Sequence, residues 1–151
     1  MNDLPVAGDL GELAELVRNR QRDEELYVRW SKGPAADLRD GERSRDELTG
    51  VDLPGLSANP LRVEPWWGDR PVEVWLARRL YDYQHLGERR GPQVRPWVLA
   101  GRELGRGPDN EPLVACRRPV AWVAEEVLEE AQRIVAAQGT DWGPLDRGGG
   151  A

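Results

Sequence analysis

The feature that most constrains the fold is the change of hydrophobic period along the chain. Apolar residues recur every three or four positions in three segments, as on one face of a helix. Between these segments they alternate with polar residues, as in strands. All of these segments lie within 151 residues, a common size for one domain. The sequence therefore predicts a single small α+β domain, in which about three helices pack on a small, mainly antiparallel sheet.

The first helix and the first strand follow one another near the amino terminus. Asp9 and Glu12 have the spacing of a capping box, and the apolar residues that follow predict a helix over 10–21. Residues 26–30 alternate in polarity and are rich in β-favouring side chains, so they predict a strand. This strand turns three apolar side chains to the core and Arg29 to the opposite face.

The middle of the chain changes from turn-rich sequence to a helical pattern. Residues 31–65 contain many Gly and Pro residues, which exclude a long helix and leave 56–58 as one brief strand. Asp69 then has the position of an N-cap, with Pro71 in the first turn. The helix that follows is predicted to end at Gly87.

The last third of the chain predicts a hairpin and a helix. Apolar stretches at 97–104 and 113–116 are joined by Gly, Pro and Asn residues, as in two antiparallel strands. Helical spacing then runs over 124–138. Residues 120–123 fit either a strand or the first turn of that helix.

The ends of the chain and its cysteine content bound the domain and its location. We expect the domain to span 9–138, between a flexible lead at 1–8 and a disordered Gly-rich tail at 139–151. The single cysteine, Cys116, has no second cysteine to pair with in the chain, and the lead lacks the regions of a secretion signal. No apolar run is long enough to cross a bilayer. We therefore expect a soluble, cytoplasmic protein.

The charge balance argues against a nucleic-acid partner. The formal net charge is −6 at pH 7, whereas binding to a polyanion draws on an excess of basic groups. Residues 70–118 are locally rich in arginine. The ordinary interpretation is a solvated surface paired with acidic neighbours, and the alternative is a face for a phosphate-bearing small ligand.

Few residues have the chemistry of a metal or cofactor site. A single histidine, His85, and Cys116 give no set of zinc ligands, so no metal is expected. The glycines at Gly101, Gly105 and Gly107 precede a polar turn and no apolar helix, which fails the condition for a dinucleotide-binding loop. No cofactor is expected from these residues.

Three polar residues stand in unusual settings and are the candidates for a site. Arg29 interrupts an apolar strand, Ser57 lies in a short apolar stretch, and Glu111 stands at the foot of the predicted hairpin. A buried arginine requires a partner, so a structural ion pair with a carboxylate such as Glu111 is the simplest interpretation. The alternative is a cleft on which all three residues converge.

Two resemblances bear on these residues. Residues 26–34, 44–61 and 105–114 resemble an uncharacterised bacterial family that is known only as a domain of unknown function. The resemblance extends over about 26–138 and implies a single domain without an assigned activity.

The order Arg29, Ser57 and Glu111 is also similar to the Arg-Ser-Glu pattern of ADP-ribosyltransferases. This resemblance implies an enzyme with NAD as its substrate. Arg29 would contact the NAD phosphate and Ser57 would support the nicotinamide pocket, while Glu111 would hold the ribose as the catalytic carboxylate. The chain lacks the Ser-Thr-Ser triplet and the Glu-x-Glu pair of better-marked members.

Trp66 and Trp67 suggest a different function. Adjacent indoles in the turn-rich region 54–68 can anchor a protein interface, although both can equally fill the core. The sequence thus supports two hypotheses. The first is a domain that binds an unknown protein or small molecule, and the second is the NAD-dependent enzyme.

Overall fold

The computed structural model describes residues 4–20, 24–39, 43–45, 52–84, 93–107 and 112–138. Its helices are α1 (Leu10–Arg18), α2 (Pro34–Arg39), α3 (Val72–Tyr83) and α4 (Glu125–Gln138), and a 3₁₀ turn covers Pro65–Trp67. Its strands are β1 (Val6–Ala7), β2 (Glu25–Ser31), β3 (Arg43–Arg45), β4 (Asp52–Pro54), β5 (Leu56–Ser57), β6 (Asn59–Pro60), β7 (Arg95–Arg106) and β8 (Pro112–Val123). These elements form the single α+β domain that the hydrophobic periods predict.

Six strands make one mainly antiparallel sheet, as predicted. Their order is β1-β8-β7-β2-β6, and β5 also pairs with β8. The predicted hairpin is present as β7 and β8, each twelve residues long. β2 lies antiparallel along β7, while β1 runs parallel to β8. β3 and β4 pair with one another in a separate two-stranded sheet.

The sheet curls because the β7–β8 hairpin is irregular. Three shifts of register interrupt its pairing, and such bulges bend a strand. The short segment 56–60 then bridges two strands that lie on either side of β7. Leu56 pairs with Val114 of β8, and Pro60 pairs with Tyr27 of β2. The sheet therefore closes around a second, smaller core.

Two hydrophobic cores lie on the two faces of the sheet. The larger one forms where α1, α3 and α4 pack on one face, against side chains such as Val28 and Val98. The smaller one lies inside the curl and contains Tyr27, Leu56, Ala58, Trp97, Leu99 and Val114. The face of β2 that carries Tyr27 and Arg29 is thus opposite to the larger core, as predicted, and is itself buried.

The helix boundaries differ from those predicted. The cap of α1 is confirmed, because Asp9 Oδ1 accepts the Glu12 N–H at 2.8 Å, but the helix ends at Arg18 and not at residue 21. α3 begins at Val72, and Pro71 occupies its N-cap position without a side-chain bond. The prediction of Asp69 as the cap is therefore wrong. The predicted end of this helix, Gly87, lies outside the described residues.

Residues 120–123 are strand and not helix, because they continue β8. The parallel pairing of Trp122 with Val6 holds them extended. The predicted lead at 1–8 therefore includes a short paired strand at Val6–Ala7. The predicted tail at 139–151 lies outside the described residues.

One glycine of β7 is required by a close approach of the two hairpin strands. A methyl group on Gly101 would overlap the Ala115 carbonyl oxygen and lie 2.8 Å from Val114 Cγ1. We expect Gly101→Ala to destabilise the domain by about 1–3 kcal/mol, the usual cost of overpacking. Urea unfolding followed by circular dichroism measures this change.

Gly105→Ala is the matched control in the same strand, since no atom within 4 Å would meet its added methyl group. We expect a change within about 0.5 kcal/mol for this variant. Equal losses in the two variants would contradict the close approach at Gly101.

Candidate functional site

Arg29 forms a buried ion pair with Asp37, a residue that sequence reasoning did not single out. Its Nε lies 2.7 Å from Asp37 Oδ2, and its Nη2 lies 3.4 Å from Oδ1. The side chains are only 8% and 12% exposed. β2 supplies the guanidinium and α2 supplies the carboxylate, so the pair joins α2 to the buried second face of the sheet.

Ser31 holds the Asp37 carboxylate in place. Its hydroxyl donates to Asp37 Oδ2 at 2.5 Å. The Ser31 Oγ itself accepts the Gly33 N–H at 3.1 Å and the Trp97 Nε1–H at 2.9 Å. Gly33 has φ of 122°, and a methyl group there would lie 2.5 Å from the Trp122 ring. Glycine is therefore required at the turn that carries this network.

The structure brings Arg29 and Ser57 together, but through the backbone of Ser57. The Ser57 carbonyl oxygen accepts a hydrogen bond from Arg29 Nη1 at 2.8 Å. The prediction that Arg29 forms an ion pair with a carboxylate is confirmed, and the carboxylate is that of Asp37. Glu111 lies outside the described residues.

The geometry does not favour a phosphate site at Arg29. All three of its guanidinium nitrogens donate hydrogen bonds within the chain, to Asp37 and to the Ser57 carbonyl. A phosphate would have to displace the buried Asp37 carboxylate. The roles implied with NAD for Arg29, Ser57 and Glu111 stay predictions, and the arrangement of the first two is that of a structural clamp.

Tyr27 lies on the same buried face and has a perturbed phenol. Its pKa is raised above the ordinary value of 10.0, chiefly by burial and further by the negative charges of Glu103 and Glu25. Arg62 opposes this shift. The phenol is therefore neutral at physiological pH. Its contribution to stability is complete below pH 10 and is lost as the pH rises through the folded-state pKa.

Trp66 and Trp67 form an aromatic cluster with Trp75 near the start of α3. The Trp67 ring is 1% exposed and packs edge-on against Trp75, with ring centroids 5.3 Å apart. Its Nε1–H points to the carbonyls of Arg70 and Pro71, at 3.1 and 3.2 Å. Trp66 lies on the rim of the same cluster and is only partly buried. Of the two indoles, Trp66 is the one with accessible surface.

An apolar depression lies on the surface between β1 and α1. It has a volume of about 270 Å³. Pro5, Val6, Ala7, Glu12, Glu15, Leu16 and Ala121 line it. Its apolar wall includes part of the lead that was expected to be flexible. The Val6 side chain, beside this depression, is 50% exposed.

The described residues show neither a membrane helix nor a metal cluster. None of the described helices is long and apolar enough to cross a membrane. Within the described ranges, no three side chains of His, Cys, Asp or Glu are grouped so that they could hold a metal ion.

The fold and its buried clamp define a small α+β domain with a curled sheet. The chain belongs to a family of unknown function (DUF6098), which matches residues 1–143. The resemblance to a domain of unknown function is therefore confirmed, over a longer stretch than the 26–138 predicted. No curated protein and no solved structure matches this chain.

The clamp predicts a large difference between breaking the ion pair and replacing it. Asp37→Ala leaves the Arg29 charge buried without its carboxylate, so we expect a loss of about 3–5 kcal/mol in the free energy of unfolding. The double variant Arg29→Met with Asp37→Leu removes both charges and should recover most of this loss. Urea unfolding of both variants measures the difference.

The exposed ion pair between Arg106 and Glu103, at 3.2 Å, provides the control for the buried one. Arg106→Ala should cost at most about 1 kcal/mol. An equally small effect of Asp37→Ala would show that the buried pair is not a structural clamp.

The aromatic cluster predicts different costs for the two adjacent tryptophans. Trp67→Ala opens a cavity in the larger core and should cost about 3–5 kcal/mol. Trp66→Ala removes a half-buried ring and should cost about 1–2 kcal/mol, in proportion to the apolar area that it buries. Denaturant midpoints measure both values. Equal losses would place both rings in the core, and Trp66 would then have no separate role at the surface.

Proposed function

We propose that this protein is a non-catalytic binding domain for a protein partner. The observation that carries the proposal is the apolar depression beside the exposed Val6 side chain. Its volume, about 270 Å³, suits one or two side chains of a partner more than a whole cofactor. Concave apolar surface beside a sheet edge can receive the side chains of another chain that lies along that edge.

The buried polar groups support the same proposal. Arg29, Asp37 and Ser31 bond to one another and to the backbone, and they are enclosed by the curled sheet. A substrate would need these groups exposed and free to form new bonds. In this arrangement they stabilise the fold, and recognition falls to the outer surface.

The proposal also moves the contact surface away from the tryptophan pair. Trp67 lies in the core, so the Trp66 edge is the part of region 54–68 that remains as an alternative surface for the same function. The proposed location is the cytoplasm, because Cys116 is free and the chain has no second cysteine with which it could form a disulfide.

Two exposed apolar side chains allow a matched test of the proposed surface. Val6 is 50% exposed and Leu104 is 52% exposed, and both lie in strands. We expect a displayed library of random peptides to be enriched on the wild-type protein. Val6→Glu places a charge on the edge strand beside the depression and should weaken binding of the enriched peptides at least tenfold, whereas Leu104→Glu should leave their binding unchanged.

Fluorescence polarisation with the enriched peptides measures these affinities, and circular dichroism confirms that both variants fold. Absence of any enrichment would overturn the binding function. Loss of binding in Leu104→Glu together with retention in Val6→Glu would move the site to the tip of the hairpin. Loss in Trp66→Ala alone would move it to the aromatic cluster.

A further inference from the structure

We propose that the outer edge of β1 accepts an extended segment of the partner as an additional strand, and that this segment alternates apolar with basic side chains. The inference rests on the proposed function and specifies the chemistry of the partner. It is carried by three features of the edge: its free backbone groups, the apolar surface on both of its faces, and the two carboxylates beside it.

The inner edge of β1 is paired with β8, and among the described residues no strand pairs with its outer edge. The Pro5 carbonyl accepts the Trp122 N–H at 2.8 Å, and the Ala7 carbonyl accepts the Ala124 N–H at 3.0 Å. Backbone groups of successive residues in a strand point to opposite edges, so those of Val6 point outward. β1 stands at the end of the sheet, and no described strand covers this side. Such an edge is a template for strand addition.

Apolar surface lies on both faces of this edge. On one face Val6 is in register with Trp122, a tryptophan that packs on the smaller core. On the other face the depression is lined by Leu16 and Ala121. Side chains of an added strand alternate between the two faces, so each of them would meet apolar surface.

The charged groups of the depression select the side chains on one face. Among the described lining residues, the charged ones are Glu12 and Glu15. Glu12 Oε2 accepts the Gly8 N–H at 3.3 Å, and Glu15 Oε1 lies 3.3 Å from Arg18 Nη1, but the Glu15 side chain is still 64% exposed. The aliphatic stem of lysine or arginine fits an apolar depression, while its charged end reaches a rim of carboxylates. Basic side chains therefore belong on the helix side, and apolar side chains belong beside Val6. The net charge of −6 attracts the same partner over a longer range.

Lysine or proline residues commonly protect the edge strands of native sheets from pairing with another chain. Beside β1, the proline does not block the outer edge and the charges are acidic. Pro5 is the neighbouring residue, but its carbonyl faces β8, so its missing N–H does not block the outer edge at Val6. The charges beside the edge are acidic, which repels a second acidic chain of the same kind. An edge with this charge favours a basic strand over self-association.

A synthetic peptide tests the inference directly. The probe is a fluorescein-labelled peptide of alternating valine and lysine or arginine, and its control carries glutamate at each basic position. We expect the full-length protein to bind the basic peptide at least tenfold more tightly than the acidic one. Hydrogen exchange of the Val6 amide should slow when the basic peptide is bound, because that N–H becomes a donor to the added strand.

Variants at one position separate strand addition from simple charge attraction. Val6→Pro removes the outward N–H and leaves the bonds from Pro5 and Ala7 to β8 in place. This variant should bind the basic peptide at least tenfold more weakly than the wild type does. Val6→Ala keeps the N–H, so its affinity for the basic peptide should stay within about threefold of that of the wild type. Glu12→Gln with Glu15→Gln should weaken binding severalfold and reduce its dependence on salt.

The outcomes distinguish this inference from the proposed function. Binding that is unaffected by Val6→Pro, without slower exchange at Val6, would overturn strand addition. If the displayed library yields ligands sensitive to Val6→Glu while the basic peptide does not bind, the binding function stands and the inferred chemistry fails. If neither the library nor the peptide binds, both fail.

Discussion

The buried ion pair between Arg29 and Asp37 is the interaction on which the curl of the sheet and its smaller core depend. β2 has both faces covered, so a guanidinium on its second face costs several kcal/mol unless a carboxylate neutralises it. Asp37 provides that carboxylate from α2, and the Ser57 carbonyl takes a further donor. The ion pair therefore joins β2 to the neighbouring α2, and the carbonyl contact joins β2 to the more distant segment at Ser57, so that the sheet is held in its curl around a smaller core.

This arrangement also explains why recognition is expected at an edge. Two of the residues proposed for chemistry, Arg29 and Ser57, instead help to hold the curl together, since a buried donor or acceptor left without a partner is costly. In the part of the chain that the structure describes, the surface carries a short strand whose outer edge no described strand pairs with, and an apolar depression with two carboxylates. Such features recognise the backbone and alternate side chains of another chain, and they need no reactive group.

Local patterns predicted most of the regular elements. The capping pair at Asp9 and Glu12, the alternation of β2 and the helical spacing of α3 and α4 depend on neighbours within a few residues, and these neighbours are visible in the sequence. The predicted cap at Asp69 is wrong, because α3 begins only at Val72. The carbonyls of Arg70 and Pro71, just before the helix, accept the Trp67 Nε1–H. That contact depends on tertiary packing, which residue spacing does not reveal.

The amino-acid sequence by itself determined the class of fold, the two kinds of hydrophobic period and the need of Arg29 for an acidic partner. Only the tertiary structure decided which acid that is, whether 120–123 is strand, and where the surface stays open. The physical reason is range. Helix and strand periods are set within a few residues, whereas ion pairing and edge exposure depend on segments that meet only after the chain has folded, as β1 meets β8 across more than a hundred residues.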